Sequence, residues 1–151
     1  MLDDTSRAIL RHLQADPAIA TPDLAERLRL SPSTVTRRIE RMREDGHIKG
    51  RKVLIDWVAL GYEIHVSLRI RLDKTNPRAF DDFLTAARDI PEVLEIQTFL
   101  GRVDVRLSVI ARTLADYQQI YRRRILALPH IDDIESLLTV STVQDRRALP
   151  L

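Results

Sequence analysis

The side chains best placed for chemistry in this chain are hydroxyls and cations gathered between residues 31 and 52, and the chemistry they suit is contact with DNA phosphates. Within residues 31–45, SPSTVTRRIERMRED, a turn of about 100° per residue puts Val35, Ile39 and Met42 in one narrow arc, with Ser33, Arg37 and Arg41 pointing the other way and Thr34 on the shoulder. One stripe packs inward and the other faces out. Ser31 suits the N-cap, Pro32 the first helical position and Gly46 a left-handed stop, so both ends of a helix are marked. The outward glutamates, Glu40 and Glu44, lie toward the C-terminal end. Anions are therefore welcome at the N-terminal half, which is also the positive pole of the helix dipole. An arginine-rich helix face is by itself often a plain solvated surface. The neighbouring residues make the difference here.

Two elements precede this helix. Asp3 or Asp4 can cap a first helix with Ile9, Leu10 and Leu13 on one face, ended by Asp16-Pro17. Thr21-Pro22-Asp23 starts a second, with Leu24, Ala25 and Leu28 inward. Two helices about three residues apart make a helix-turn-helix. The turn position that usually holds glycine is Arg29, which has to accept a strained φ or a different turn. After Gly46, residues 47–56 predict two short strands around a turn, a wing with Lys49, Arg51 and Lys52 exposed near its tip to lie along phosphates. From Ser31 to Lys52 seven basic residues face three acidic ones, a local charge of +4, whereas from Gly61 onward 13 basic residues balance 13 acidic.

The remainder has a different period. Tyr62, Ile64, Val66, Leu68, Ile70 and Leu72 alternate with polar residues, which predicts a long strand buried on one face. A helix with Phe80, Phe83, Leu84 and Ala87 inward follows, then strands over residues 93–100 and 103–109 that read as a hairpin. Another helix carries Leu114, Tyr117, Ile120, Tyr121, Ile125 and Leu128, and a last strand spans residues 134–143. The order β-α-β-β-α-β predicts an antiparallel sheet with both helices on one face, the ferredoxin-like arrangement. Phe99, Leu137 or Leu138, His65, Ser67 and Thr139 fall on the open face, a mixed surface suited to pairing with a second copy. The fold class expected is thus α+β: a winged helix-turn-helix over residues 1–55, a linker over 56–61, and a ferredoxin-like domain over 62–151.

Composition narrows the function further. With 151 residues, 44% of them hydrophobic, the chain can bury a core, and its net charge is only +2. It has no cysteine, hence no disulfide or thiolate metal site. The four histidines (His12, His47, His65, His130) are scattered and glycine is too rare for a phosphate-cradling loop, so neither metal nor cofactor is expected. No apolar run approaches a membrane span or a signal peptide, and the expected address is cytoplasmic.

Taken together, LDDTSRAILRHLQAD, TPDLAERLRLSPSTVTRRIERMREDGHIKG, Leu60-Gly61-Tyr62, FLGRVDVRLSV and the closing RALPL resemble the Lrp/AsnC (feast/famine) family over nearly the whole chain. The resemblance implies a dimeric transcription factor, assembling further to tetramers or octamers, whose C-terminal RAM-type domain binds a small effector, usually an amino acid. It places Ser33, Thr34, Thr36, Arg37 and Arg38 at positions that touch double-stranded DNA, beside Arg41, with Lys49 and Arg51 on the wing. Arg37, early on the outward stripe, is the best candidate for a bidentate contact to guanine, and Arg38 for a phosphate. It also implies an effector site at the loop Gly101-Arg102-Val103-Asp104, completed by Leu138, Thr139 and Ser141 on the last strand of a neighbouring subunit. Gly101 lets backbone come close and Asp104 can accept from an α-ammonium group. Arg102 and Val103 depart from the family's polar and aromatic residues, and an Arg102 facing the ligand would favour an acidic or polar effector.

Two other functions fit parts of the pattern. One is a DNA-organising protein without an effector. The other is an enzyme like the sirohaem decarboxylases, which resemble the same two-domain plan. Those carry a run of the form RRIGAVF near the domain junction, where this chain has Lys49-Gly50-Arg51-Lys52-Val53-Leu54-Ile55.

Overall fold

A computed structural model describes residues 2–145 and 148–151; Arg147, which opens the RALPL run, lies outside them. The chain divides into two compact units, Met1–Leu54 with Gln144–Leu151, and Ile55–Val143. Residues 144–151, expected in the second domain, thus group with the first. No helix among the described residues is long and apolar enough to cross a membrane.

The first unit contains α1 (Asp4–Ala15), α2 (Thr21–Leu28) and α3 (Pro32–Glu44). Asp3 caps α1, its Oδ1 accepting from the Ser6 amide at 2.8 Å. Ile9, Leu24, Ala25, Val35, Ile39 and Met42 are buried together, and Leu10, Leu13, Leu28, Leu30 and Ile48 close around them. Between α2 and α3 the chain reverses at Arg29, which takes the left-handed conformation at φ 54° and ψ 44°. Two hydrogen bonds hold it there: the Arg29 amide donates to Glu26 O at 3.1 Å and the Leu30 amide to Ala25 O at 2.9 Å. This is a glycine-type helix stop made with a side chain present.

The expected two-stranded wing does not form. Residues 47–56 contain no strand, and the Ile48 amide, donating to Met42 O at 3.0 Å, makes the only backbone hydrogen bond of the segment among the described residues. A two-stranded ribbon is marginal without something to pack on, and Val53, Leu54 and Ile55 are exposed. The wing is an extended arm.

The second unit opens with a turn at residues 57–61, where Asp56 Oδ1 accepts from the amides of Val58 and Ala59. It continues with β1 (Ile64–Leu72), α4 (Ala79–Arg88), β2 (Val93–Thr98), β3 (Val105–Ala111), α5 (Leu114–Ile120) and β4 (Ile131–Leu138). The sheet order is β2-β3-β1-β4 with every neighbouring pair antiparallel. Val66, Leu68, Ile70 and Leu72 of β1 are buried against Phe83, Ala87, Tyr117, Ile120 and Ile125 from the helical layer. The βαββαβ order expected from the alternation is present.

Three details differ from expectation. The fifth helix is α-helical only to Ile120 and widens to a π-helical turn at Tyr121–Ile125. The last strand ends at Leu138 rather than Val143, because Leu138 already pairs with Val66 near the start of β1 and only one further bond follows, from the Thr139 amide to His65 O at 2.8 Å. Of the two candidate leucines on the open face, Leu137 pairs with Ser67 and belongs there, whereas Leu138 pairs with Val66 and lies on the helix side.

Two outcomes follow from the first unit. Arg29→Gly should relieve the left-handed strain and raise stability by about 0.5–1 kcal/mol, read as a higher denaturant midpoint at unchanged slope. The Ser6 backbone bond, and next to it the bond from Arg38, lower the Asp3 carboxyl from 3.8 to about 2. A depressed carboxylate stabilises the fold above its unfolded value, and that contribution disappears as pH falls through the folded one. Asp3→Asn, which keeps a capping oxygen but not the charge, should flatten the loss of stability between pH 3.8 and about 2, measured by denaturation across that range.

Candidate DNA-binding surface and effector loop

Burial of Val35, Ile39 and Met42 leaves Ser33, Thr36, Arg37 and Arg41 of α3 exposed, with Thr34 half-buried. The N-terminal turn is a hydroxyl cluster. Ser31 Oγ accepts from the Thr34 amide at 3.2 Å and lies 2.7 Å from Thr34 Oγ1 and 3.1 Å from Ser33 Oγ. These hydroxyls are satisfied locally yet keep lone pairs and protons toward solvent. Arg41 is largely exposed, its Nε a loose 3.9 Å from Asp45.

Arg38 behaves differently from its neighbours. Its Nη1 lies 2.7 Å from Asp3 Oδ2 and 3.1 Å from Ser6 Oγ, and its Nε is buried without a partner. It ties α3 to the start of α1, so the side chain expected to serve a phosphate is already engaged within the unit. Arg37, Arg41 and His47 line an open cleft of about 480 Å³ together with Asp3, Ser6 and Arg38. Lys49, Arg51 and Lys52 are exposed on the extended arm. The result is a surface on which cations outnumber carboxylates, around a helix whose N-terminus is open.

The loop between β2 and β3 places its residues unevenly. Gly101 and Arg102 are exposed, and a Cβ on Gly101 would meet nothing within 4 Å. Asp104, in contrast, is 2% exposed. Its Oδ1 takes the Lys74 ammonium at 2.7 Å and its Oδ2 the Leu72 amide at 2.9 Å. Burial pushes this carboxyl up, but Lys74 and the Leu72 amide outweigh it and hold it below the ordinary value. The α-ammonium partner expected for Asp104 is thus replaced by Lys74 of the same chain.

Nor does one chain bring the effector residues together. Val105, just after the loop, pairs with Ile70 near the end of β1, whereas Leu138 pairs with Val66 near its start. The loop and the end of β4 therefore sit at opposite ends of the sheet, about 20 Å apart at strand rise. Leu138 is half-exposed at the end of its strand, and Ser141 lies beyond it in an exposed extended segment. Thr139 Oγ1 is 3.1 Å from His65 Nδ1, and His65 Nε2 is 2.7 Å from Ser108 Oγ. Burial, with Arg106 nearby, lowers the pKa of His65 and favours the neutral ring between two hydroxyls. The sequence marked His65 only as an open-face residue and did not single out Lys74; nothing in the local pattern pairs either with its partner.

Residues 2–49 match the winged helix-turn-helix DNA-binding family and residues 65–149 the Lrp/AsnC ligand-binding domain family. The chain is 34% identical over 149 residues to the proline dehydrogenase transcriptional activator of Rhodobacter capsulatus, covering 98% of this chain and 96% of that one. It is 30% identical over 151 residues to the transcriptional regulator AzlB of Bacillus subtilis, covering 100% and 96%. Among solved structures, an AsnC family transcriptional regulator from Agrobacterium tumefaciens superimposes with a TM-score of 0.89 at 33% identity, over 99% of this chain and 97% of that one. A transcriptional regulator of Neisseria meningitidis in complex with L-Met shares the fold at a TM-score of 0.91 and 23% identity, over 99% and 97%. Such proteins bind DNA and regulate transcription rather than catalyse a reaction. With both halves matched in order along the chain, and a surface of exposed arginines on an N-capped helix, the protein belongs to the Lrp/AsnC family of sequence-specific DNA-binding transcriptional regulators.

Proposed function

We propose that the N-terminal half of α3 enters the major groove of double-stranded DNA, with Arg37 donating in bidentate fashion to a guanine and Ser33, Thr34 and Thr36 contacting the neighbouring bases and backbone. The observation that carries this reading is the contrast between two adjacent arginines: Arg38 is bound to Asp3 and Ser6, while Arg37 is exposed on the outward stripe. Arg41, Lys49 and Arg51 are phosphate contacts, and Arg38 is a strut that holds α3 on α1. The Met1–Leu54 unit does the DNA work and the Ile55–Val143 unit binds effector and assembles copies. A homodimer presents two such helices to a pseudo-palindromic site with half-sites about one helical turn apart, and tetramers or octamers extend the array. The cytoplasm is where such a regulator works.

The effector is an amino acid or similar small molecule, held by Gly101 and Arg102 of one subunit and by Leu138, Thr139 and Ser141 of another. The separation of these groups within one chain supports a site completed only by assembly. Arg102 offers the loop's cation to a carboxylate. A DNA-organising protein without an effector remains the second reading, since helix and wing would serve it equally.

The deciding experiment measures binding to DNA beside the protein's own gene and to random DNA of equal length, with each amino acid added in turn. Preference for the first that shifts with one amino acid establishes the regulator and names its effector; equal affinity for both DNAs favours the organising role. Arg37→Ala should weaken the specific complex about 10- to 100-fold and leave random DNA nearly unchanged, whereas Lys49→Ala should weaken both alike and reduce the salt slope by about one. In a thermal-shift screen Arg102→Asp should alter which amino acid stabilises the protein; an unchanged preference would remove Arg102 from the site.

A further inference from the structure

We propose that residues 148–151 are a working part of the DNA-binding unit: Gln14 holds this segment against α1, and the segment in turn positions the wing that carries Lys49, Arg51 and Lys52. The inference rests on the reading of those cations as phosphate contacts. The ligand-binding family match runs through residue 149, yet residues 144–151 group with the first unit, so the chain crosses between units at 54/55 and again at 143/144.

The contact is specific. The Gln14 side-chain amide uses both of its polar ends on one residue: Oε1 accepts from the Leu149 amide at 2.6 Å and Nε2 donates to the Leu149 carbonyl at 3.3 Å. Arg11 Nη1 donates to Leu151 O at 3.2 Å, and the Leu151 amide donates back to Leu149 O at 3.0 Å across Pro150. Pro150 has one backbone torsion fixed, which lowers the cost of ordering this short turn. Four hydrogen bonds therefore hold three residues. Gln14 mimics a strand neighbour.

What lies opposite gives the contact its consequence. Leu149 and Leu151 border a groove of about 270 Å³ whose floor includes Leu10, Leu13 and Ile39 and whose other wall is residues 47–52 of the wing. Beyond the Ile48 bond to Met42, that wing has no backbone restraint among the described residues. An arm free on every side would spend most of its time away from any one phosphate geometry, and binding would have to order it. With Leu149 and Leu151 in place, the arm faces an apolar wall across the groove. The cations then start near their working positions.

The test uses the whole chain with Gln14→Ala, which removes the clamp from the α1 side, and Leu149→Pro, which removes the amide that Gln14 accepts from together with the Leu149 side chain at the groove. In the absence of DNA, exchange of the Ile48 amide, the one backbone-bonded amide of the wing among the described residues, should accelerate about fivefold or more in both variants while exchange in α1 and α3 stays unchanged. Affinity for specific and random DNA should fall together by about five- to tenfold, and the slope of log K against log salt should become shallower by about one to three as wing contacts are lost. A merely destabilised domain would not change that slope. Wild-type exchange in the wing would overturn the clamp, and faster exchange with an unchanged salt slope would overturn its role in DNA binding. Arg37→Ala, run alongside, reports on the DNA reading separately: if it leaves specific binding intact, that reading fails while the exchange data still judge the clamp.

Discussion

Burial of Val35, Ile39 and Met42 on one side of α3 is the constraint on which the DNA-binding surface depends. Each such side chain is worth on the order of 2 kcal/mol when removed from water, so rotating the helix by even one residue position would forfeit more than any surface contact returns. Because the helix is rigid, fixing that stripe also fixes the opposite one, and Ser33, Arg37 and Arg41 face solvent as a consequence. The same logic governs the second unit at a different period. Val66, Leu68, Ile70 and Leu72 share one face of β1, so His65, Ser67, Arg69 and Arg71 share the other.

Charges near these faces divide by whether the fold has already claimed them. Arg38 lies next to Arg37 in sequence, but 100° of helical rotation carries it to the edge of the buried arc, within reach of Asp3 and Ser6. Asp104 follows the exposed Arg102 by two residues, yet it turns inward beneath the end of β1 and takes Lys74 and the Leu72 amide. A buried carboxylate left unpaired is costly, and this one has both oxygens engaged. Residues of the right type for binding become structural when a partner of the same chain reaches them first.

Sheet register has a comparable effect on the effector residues. The βαββαβ order sends the β2–β3 hairpin to the end of β1 and the exit of β4 to its start, so a single chain holds the two halves of the candidate site apart. Symmetric assembly of open sheets is a means of joining such halves. It would also make occupancy of the site and the assembly state thermodynamically linked, which is what a regulator requires of its ligand.

By itself the sequence determined the elements and their inward faces, because apolar periodicity and capping residues are local signals: the stripe of α3, the alternation of β1, and the stops at Pro17 and Gly46 could all be read directly, whereas the left-handed backbone of Arg29 was one of two options until the structure decided it. It also determined that the excess of positive charge lies between Ser31 and Lys52. Tertiary structure alone decided which charges are free, since pairing depends on residues 35 positions away for Arg38 and 30 for Asp104. It decided that β4 stops at Leu138, because strand length is limited by where the partner strand begins. It decided too that the wing is an extended arm beside residues 148–151, because hairpin formation depends on what lies beside the ribbon. Period and composition describe what a segment offers; only the folded chain settles which partner arrives to take it.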